Sequence, residues 1–177
     1  MSHPDNNQLK VLLEKEEIAK AVARIAAEIK QDYQGKRLLL IAVLNGSFIF
    51  LADLVRQLDM DIEIDFVQLA SYYSATESSG KVTLIKDIRK PISGKDVLVI
   101  EDIVDTGITI NFLLTHLKKM KPASLKLCAL ADKPSQRQIT ISIDYLGFTL
   151  PNKFIVGYGI DFDEQFRGLP FICYLEK

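Results

Sequence analysis

Residues 97–110 read VLVIEDIVDTGITI, and the fold turns on how this stretch is understood. An apolar run of four residues ends in two acids, Glu101 and Asp102; a third acid, Asp105, follows, and then TGIT opens a helical pattern. A strand, a glycine-containing turn and a helix start form a place for an anion, because the first N–H groups of a helix have no partner within it. Three carboxylates beside it should repel that anion. A phosphorylated substrate that carries a divalent metal and sugar hydroxyls removes the conflict. The metal offsets charge, and carboxylates accept hydrogen bonds from hydroxyls. Gly107 permits a turn closed to other residues, and Thr106 and Thr109 add hydroxyls at the helix start. A capped helix after a buried strand would account for one of these residues, but not for all of them together.

Around this stretch the chain alternates. Residues 14–30 space Ile18, Val22, Ile25 and Ile29 as one face of an amphipathic helix. LLLIAVL (38–44) reads as a strand buried on both faces, and FIFLADLVRQL (48–58) as a helix with Ser47 at its N-cap. Strands are expected at 63–71, 81–88, 96–102 and 123–132. A helix carries Ile110, Leu113, Leu114, Leu117 and Met120 and stops before Pro122. Residues 71–80, SYYSATESSG, read as a loop or hairpin tip, and the last third as short strands joined by turns. The expectation is an α/β fold with a central parallel sheet flanked by helices. Ligands of such sheets bind beyond the carboxyl ends of the strands. That gathers NGS (45–47), EDIVDTGIT (101–109) and ADKPSQR (131–137) at one place.

Composition narrows the function. The 177 residues suit one domain, with 48% apolar and 25% charged residues. A net charge of −1 gives no support for nucleic-acid binding. The start, MSHPDNNQLK, lacks the apolar core of a secretory signal, and seven apolar residues at 38–44 cannot span a bilayer. Cys128 and Cys173 sit in apolar surroundings and read as buried free thiols, so a cytoplasmic location is expected. His3 and His116 make no metal-ligand spacing.

VLVIEDIVDTGIT resembles the phosphoribosyl-pyrophosphate motif of type I phosphoribosyltransferases. More of the chain is similar to their hypoxanthine-guanine branch, over about residues 10–175. AVLNGSFIFLADL (42–54) resembles that branch's pyrophosphate loop and helix, LASYYSATESSG (69–80) its lid, and PNKFIVGYGIDFDEQFRGLPFI (151–172) its base-binding hood. The resemblance implies one phosphoribosyltransferase domain over 1–177. Its core would span about 36–140, with a hood from the N-terminal segment and about 141–177.

The resemblance also implies roles. Glu101 and Asp102 would meet the ribose hydroxyls, directly or through metal, and Asp105 would be the general base at purine N7. Residues Asp105, Thr106, Gly107, Ile108 and Thr109 would hold the 5′-phosphate, with Ile108 giving only its N–H. Lys133, Lys153, Phe154, Ile155 and Asp161 would bind the purine, Lys133 at the exocyclic O6, Phe154 by stacking and Ile155 through its backbone. Asp161 would also ligate metal near pyrophosphate. Asn45, Gly46 and Arg167 would bind pyrophosphate, and Ser71 and Tyr72 would form the lid pair. The family commonly has Lys or Arg where this chain has Asn45, and it holds a cis peptide at the preceding leucine. Mg²⁺ is the implied cofactor. Hypoxanthine or guanine and phosphoribosyl pyrophosphate are the implied substrates, in a homodimer or homotetramer without nucleic acid or membrane. A xanthine-preferring enzyme and an RNA-binding regulator that takes phosphoribosyl pyrophosphate are the alternatives. A receiver module of the response-regulator kind fits less well, since its acid pair lies near the N-terminus.

Overall fold

The computed structural model describes residues 9–72 and 81–175, without the side chains of 71, 72 and 81. Nine strands and three α-helices appear among them. In chain order they are β1 (Leu9–Leu13), α1 (Lys15–Asp32), β2 (Leu38–Leu44), α2 (Phe48–Leu58), β3 (Ile62–Tyr72) and β4 (Lys81–Lys86). There follow β5 (Asp96–Val104), α3 (Ile108–Lys118), β6 (Ser124–Asp132), β7 (Tyr145–Thr149), β8 (Ile155–Val156) and β9 (Ile172–Leu175). One sheet has the order β4-β3-β2-β5-β6-β7, and a second, small sheet the order β1-β9-β8. The large sheet is parallel from β3 to β7, with β4 antiparallel at its edge. The small sheet joins the two ends of the described chain, with β1 antiparallel to β9.

Alternation along β2 explains the layers. Leu38, Leu40 and Ala42 face a core that includes Ile18, Val22, Ile25 and Ile29 of α1 and Phe50 and Leu54 of α2. Leu39, Ile41 and Val43 face the opposite core, with Ile110, Leu113 and Leu117 of α3. A strand covered on both faces is apolar at every position, and six of the seven residues of β2 are buried. Arg24 of α1 reaches the outer strand β7, where its Nη2 donates to the carbonyls of Leu146 (2.7 Å) and Gly147 (3.2 Å).

Three details differ from the sequence reading. Ser47 occupies the N-cap of α2 without capping it: its hydroxyl donates back to the Val43 carbonyl at 2.6 Å. The backbone there is already helical, so the hydroxyl lies within reach of the preceding turn. Strand β5 continues past the acids to Val104, because Ile103 and Val104 still pair with Ala131 and Asp132 of β6. Helix α3 begins at Ile108, directly after Gly107. Both cysteines are free and buried, and burial pushes the Cys128 thiol far above its usual pKa. His116 Nε2 lies 2.8 Å from Asp87 Oδ2, and His3 is outside the described residues. Among the described residues no helix is long and apolar enough to cross a membrane.

Candidate active site

The carboxyl ends of β2, β5 and β6 bring three loops to one end of the sheet. At β5, Glu101 is buried while Asp102 is partly exposed, as neighbours on one strand should be. The Glu101 carboxylate nonetheless accepts the Asp102 N–H at 3.2 Å. Burial, and next the Asp102 carboxyl beside it, push the Glu101 carboxyl well above its usual range. The pair is therefore short of positive charge. Among the described residues, no group of three or more His, Cys, Asp or Glu side chains could enclose a metal ion. A cation shared between two carboxylates and the oxygens of a ligand fits this donor set, and that is the habit of Mg²⁺.

The turn that follows is fixed by backbone. Gly107 has φ +84°, and a Cβ there would lie 2.5 Å from the Ile139 carbonyl. Glycine is thus required both by conformation and by space. The Thr106 carbonyl accepts the N–H groups of Gln138 (2.9 Å) and Ile139 (3.1 Å), and its Oγ1 accepts that of Ile108 at 3.4 Å. The Thr106 backbone ties residues 105–109 to the 137–139 segment in this way. Arg137 supports the turn from behind, bonded to the Asp132 carboxylate and, at 3.4 Å, to the Val104 carbonyl.

Asp105 and Lys133 come together although 28 residues separate them. The Lys133 Nζ lies 3.4 Å from Asp105 Oδ2, because the N–H of Lys133 bonds the Val104 carbonyl at 2.9 Å and continues the β5–β6 pairing. The lysine side chain is 9% exposed and the aspartate 44%, while Oδ1 of the aspartate is buried without a hydrogen-bond partner. Both line a cavity of about 760 Å³, together with Gln136, Asn152, Lys153, Phe154, Phe162, Tyr174 and Leu175. Phe154 is 49% exposed, with Phe162 edge-on to it at 5.3 Å. Ile155 is buried in β8, paired with Tyr174 of β9. A smaller cavity of about 420 Å³ lies apart from these residues, between α1, α2 and the 168–170 segment.

On the other side stands the 45–46 turn. The Leu44–Asn45 peptide is cis, as the resemblance implies. A Cβ on Gly46 would lie 1.9 Å from Asp102 Oδ2, and a Cβ on Gly159 would lie 2.1 Å from the Gly46 carbonyl oxygen. Two glycines thus let the 45–46 turn sit between β5 and the 157–160 segment. Arg167 extends this line: its Nη1 donates to the Gly159 carbonyl at 3.0 Å. Its Nη2 lies 3.0 Å from both Asp161 Oδ1 and Glu164 Oε2, and Asp161 Oδ2 accepts the Glu164 N–H at 2.8 Å. Asn45 is exposed.

The structure therefore gathers Glu101, Asp102, Asn45, Gly46, Asp161 and Arg167 into one connected set, and Asp105, Lys133, Lys153 and Phe154 around one cavity. Ser71 and Tyr72 end β3, but their side chains, with residues 73–80, lie outside the described residues. Phe162, Tyr174, Gln136, Asn152 and Arg137 were not singled out in the sequence. Tyr174 sits in FICYL, which reads as plain core strand, so no signal marked it.

The model of the phosphoribosyl transferase domain matches residues 8–163. The hypoxanthine-guanine phosphoribosyltransferase of Bacillus subtilis (strain 168) is 43% identical over 167 residues, which are 94% of this chain and 93% of that protein. The protein of that name from Streptococcus pneumoniae (strain R6) is 42% identical over 98% of this chain and 96% of its own. The chain also matches the bifunctional protein TilS/HprT of Listeria innocua at 41% identity, but spans only 26% of that protein's length. Among solved structures, a hypoxanthine-guanine phosphoribosyltransferase of Bacillus anthracis superposes with a TM-score of 0.90 at 46% identity, over 94% of this chain and 98% of that one. A hypoxanthine phosphoribosyltransferase of Staphylococcus aureus gives 0.91 at 42% identity, over 96% and 93%.

Proposed function

The chain belongs to the phosphoribosyl transferase family, and on that premise we propose that it is a purine-salvage enzyme. It transfers the 5-phosphoribosyl group of phosphoribosyl pyrophosphate to N9 of hypoxanthine or guanine, giving the nucleoside monophosphate and pyrophosphate. The observation that carries this reading is the Asp105–Lys133 pair. An acceptor and a donor stand 3.4 Å apart on the wall of a cavity that also holds an exposed aromatic ring. The N7–O6 edge of a 6-oxopurine offers the complementary donor and acceptor. A 6-aminopurine would set a second donor against the lysine.

Each residue then has a task. Residues 105–109 hold the 5′-phosphate at the start of α3. Glu101 and Asp102 orient the ribose hydroxyls. Glu101 and Asp102 would hold Mg²⁺ at the ribose, and Asp161 would ligate metal near the pyrophosphate, where the cation would supply charge neutralisation for the leaving group. Arg167, with the backbone of Asn45 and Gly46, binds that leaving group. Phe154 stacks on the base, the backbone of Ile155 reads its edge, and Lys153 lines the same pocket. As the C1′–oxygen bond to pyrophosphate breaks, the sugar gains oxocarbenium character, N9 attacks C1′, and Asp105 takes the N7 proton. Ser71 and Tyr72 cover the reaction and exclude water.

The proposal includes a cytoplasmic location, supported by the two buried free thiols, and assembly into a homodimer or homotetramer. Exposed Phe48, Ile64 and Ile85 support the latter. Pyrophosphate release, measured with hypoxanthine, guanine, xanthine and adenine in turn, with and without Mg²⁺, tests the reaction. Turnover with the two 6-oxopurines hypoxanthine and guanine, dependent on Mg²⁺, is the expected result. RNA binding with no turnover of any base would remove the proposal.

A further inference from the structure

The base cavity holds two lysines, and they are held differently. Lys133 is buried and stands beside the Asp105 carboxylate. Lys153 is exposed, and its Nζ lies 3.3 Å from the centroid of the Tyr174 ring. That ring is placed by the strand pairing of Tyr174 with Ile155, two residues from Lys153, so the contact joins the turn before β8 to β9. An ammonium over an aromatic face is attracted by the ring's negative quadrupole and is kept from other partners.

We propose that Tyr174 is a specificity-determining residue, which holds the Lys153 ammonium on its ring and so withholds a second cationic donor from the 2-position of the bound purine. The inference rests on the purine reading of this cavity given above. In this proposal the O6–N7 edge is set on Lys133 and Asp105 and the C2 side of the base toward Lys153 and Tyr174, which line the same cavity. An ammonium is a donor only. Free beside C2, it would attract the second exocyclic oxygen of xanthine, gain nothing from the C–H of hypoxanthine and repel the amino group of guanine. Held on Tyr174, it leaves hypoxanthine and guanine favoured. The tyrosine acts through the lysine and does not touch the reacting atoms.

The test compares kcat/KM for xanthine, hypoxanthine and guanine across four proteins: wild type, Tyr174→Val, Tyr174→Phe and the double variant Tyr174→Val/Lys153→Met. Tyr174→Val should raise the xanthine-to-hypoxanthine ratio about two- to fivefold, the weight of an exposed cation–π contact, and lower the guanine-to-hypoxanthine ratio. Tyr174→Phe keeps the ring and should keep both ratios. The double variant should lose the gain. A ratio unchanged in folded Tyr174→Val, or an equal fall for all three bases, overturns the inference. Should that variant not fold, Tyr174→Leu takes its place, with the same rise in the xanthine-to-hypoxanthine ratio expected and an unchanged ratio overturning the inference. Absence of turnover by the wild type with every base would instead defeat the purine reading itself, and this inference with it.

Discussion

Gly46 and Asp102 are in backbone-to-carboxylate contact: a Cβ on the glycine would stand 1.9 Å from one carboxylate oxygen and 2.5 Å from Cγ. The chain can bring the 45–46 turn against the acid pair only because this residue has no side chain. Gly46→Ala would force the Asp102 carboxylate oxygen and the Cβ apart by more than about an ångström. A roughly hundredfold loss of kcat/KM for phosphoribosyl pyrophosphate is expected, the effect typical of a misplacement on this scale. Circular dichroism should still report a folded chain. Near wild-type turnover would show that the contact does not matter to the reaction.

Asp105→Asn tests the general base. It keeps the shape of the side chain next to Lys133 and removes its basicity. The expected loss is about 10²–10⁴-fold in kcat, with purine binding by calorimetry changed far less. Wild-type turnover would exclude the aspartate as the proton acceptor.

Lys133→Ala should raise the KM for purines selectively, because the lysine ammonium lines the base cavity. Steady-state kinetics with each substrate varied in turn measures this. If KM rises equally for phosphoribosyl pyrophosphate, the lysine serves the structure of the β5–β6 junction instead.

Asp65 offers a prediction on stability that does not involve the reaction. It is 4% exposed, and burial alone would raise its pKa. Hydrogen bonds from the N–H groups of Arg89 (2.8 Å) and Phe66 (2.9 Å), and the Arg89 guanidinium at 3.3 Å, outweigh burial and lower it. A carboxyl depressed in the folded state stabilises above its unfolded pKa of about 3.9, and that stability is lost as pH falls through the lower folded value. Asp65→Asn should therefore cost about 1–3 kcal/mol in urea unfolding near pH 6. The gap from wild type should close as pH drops toward 3. A gap that widened on acidification would refute the assignment.

Much of this architecture was legible in the sequence. β2 and α2 were recognised with their observed bounds, since an unbroken apolar run and a clean helical period each have one physical reading. The 101–109 segment announced itself because acids, glycine and threonines there exceed what a helix cap needs. Non-local pairing could not be read from the residues alone; only the resemblance implied that the N-terminal segment joins the C-terminal one. β1 is five residues whose partner, β9, lies at the far end of the chain. The contact of Gly159 with the Gly46 carbonyl and the Lys153–Tyr174 pair likewise join residues whose local sequence says nothing of each other. Ser47 was misjudged for a local reason: a hydroxyl at a helix start can bond forward or backward, and the backbone angle decides which.

Arg24 bears on how the outer edge of the large sheet is held. β7 is an outer strand of the large sheet, and an outer strand with open carbonyls is a template for a strand from a second molecule. One guanidinium on α1 bonds the carbonyls of Leu146 and Gly147 on that strand. The helix that fills the core thus also ties down the sheet's outer strand, and the tie is a single side chain.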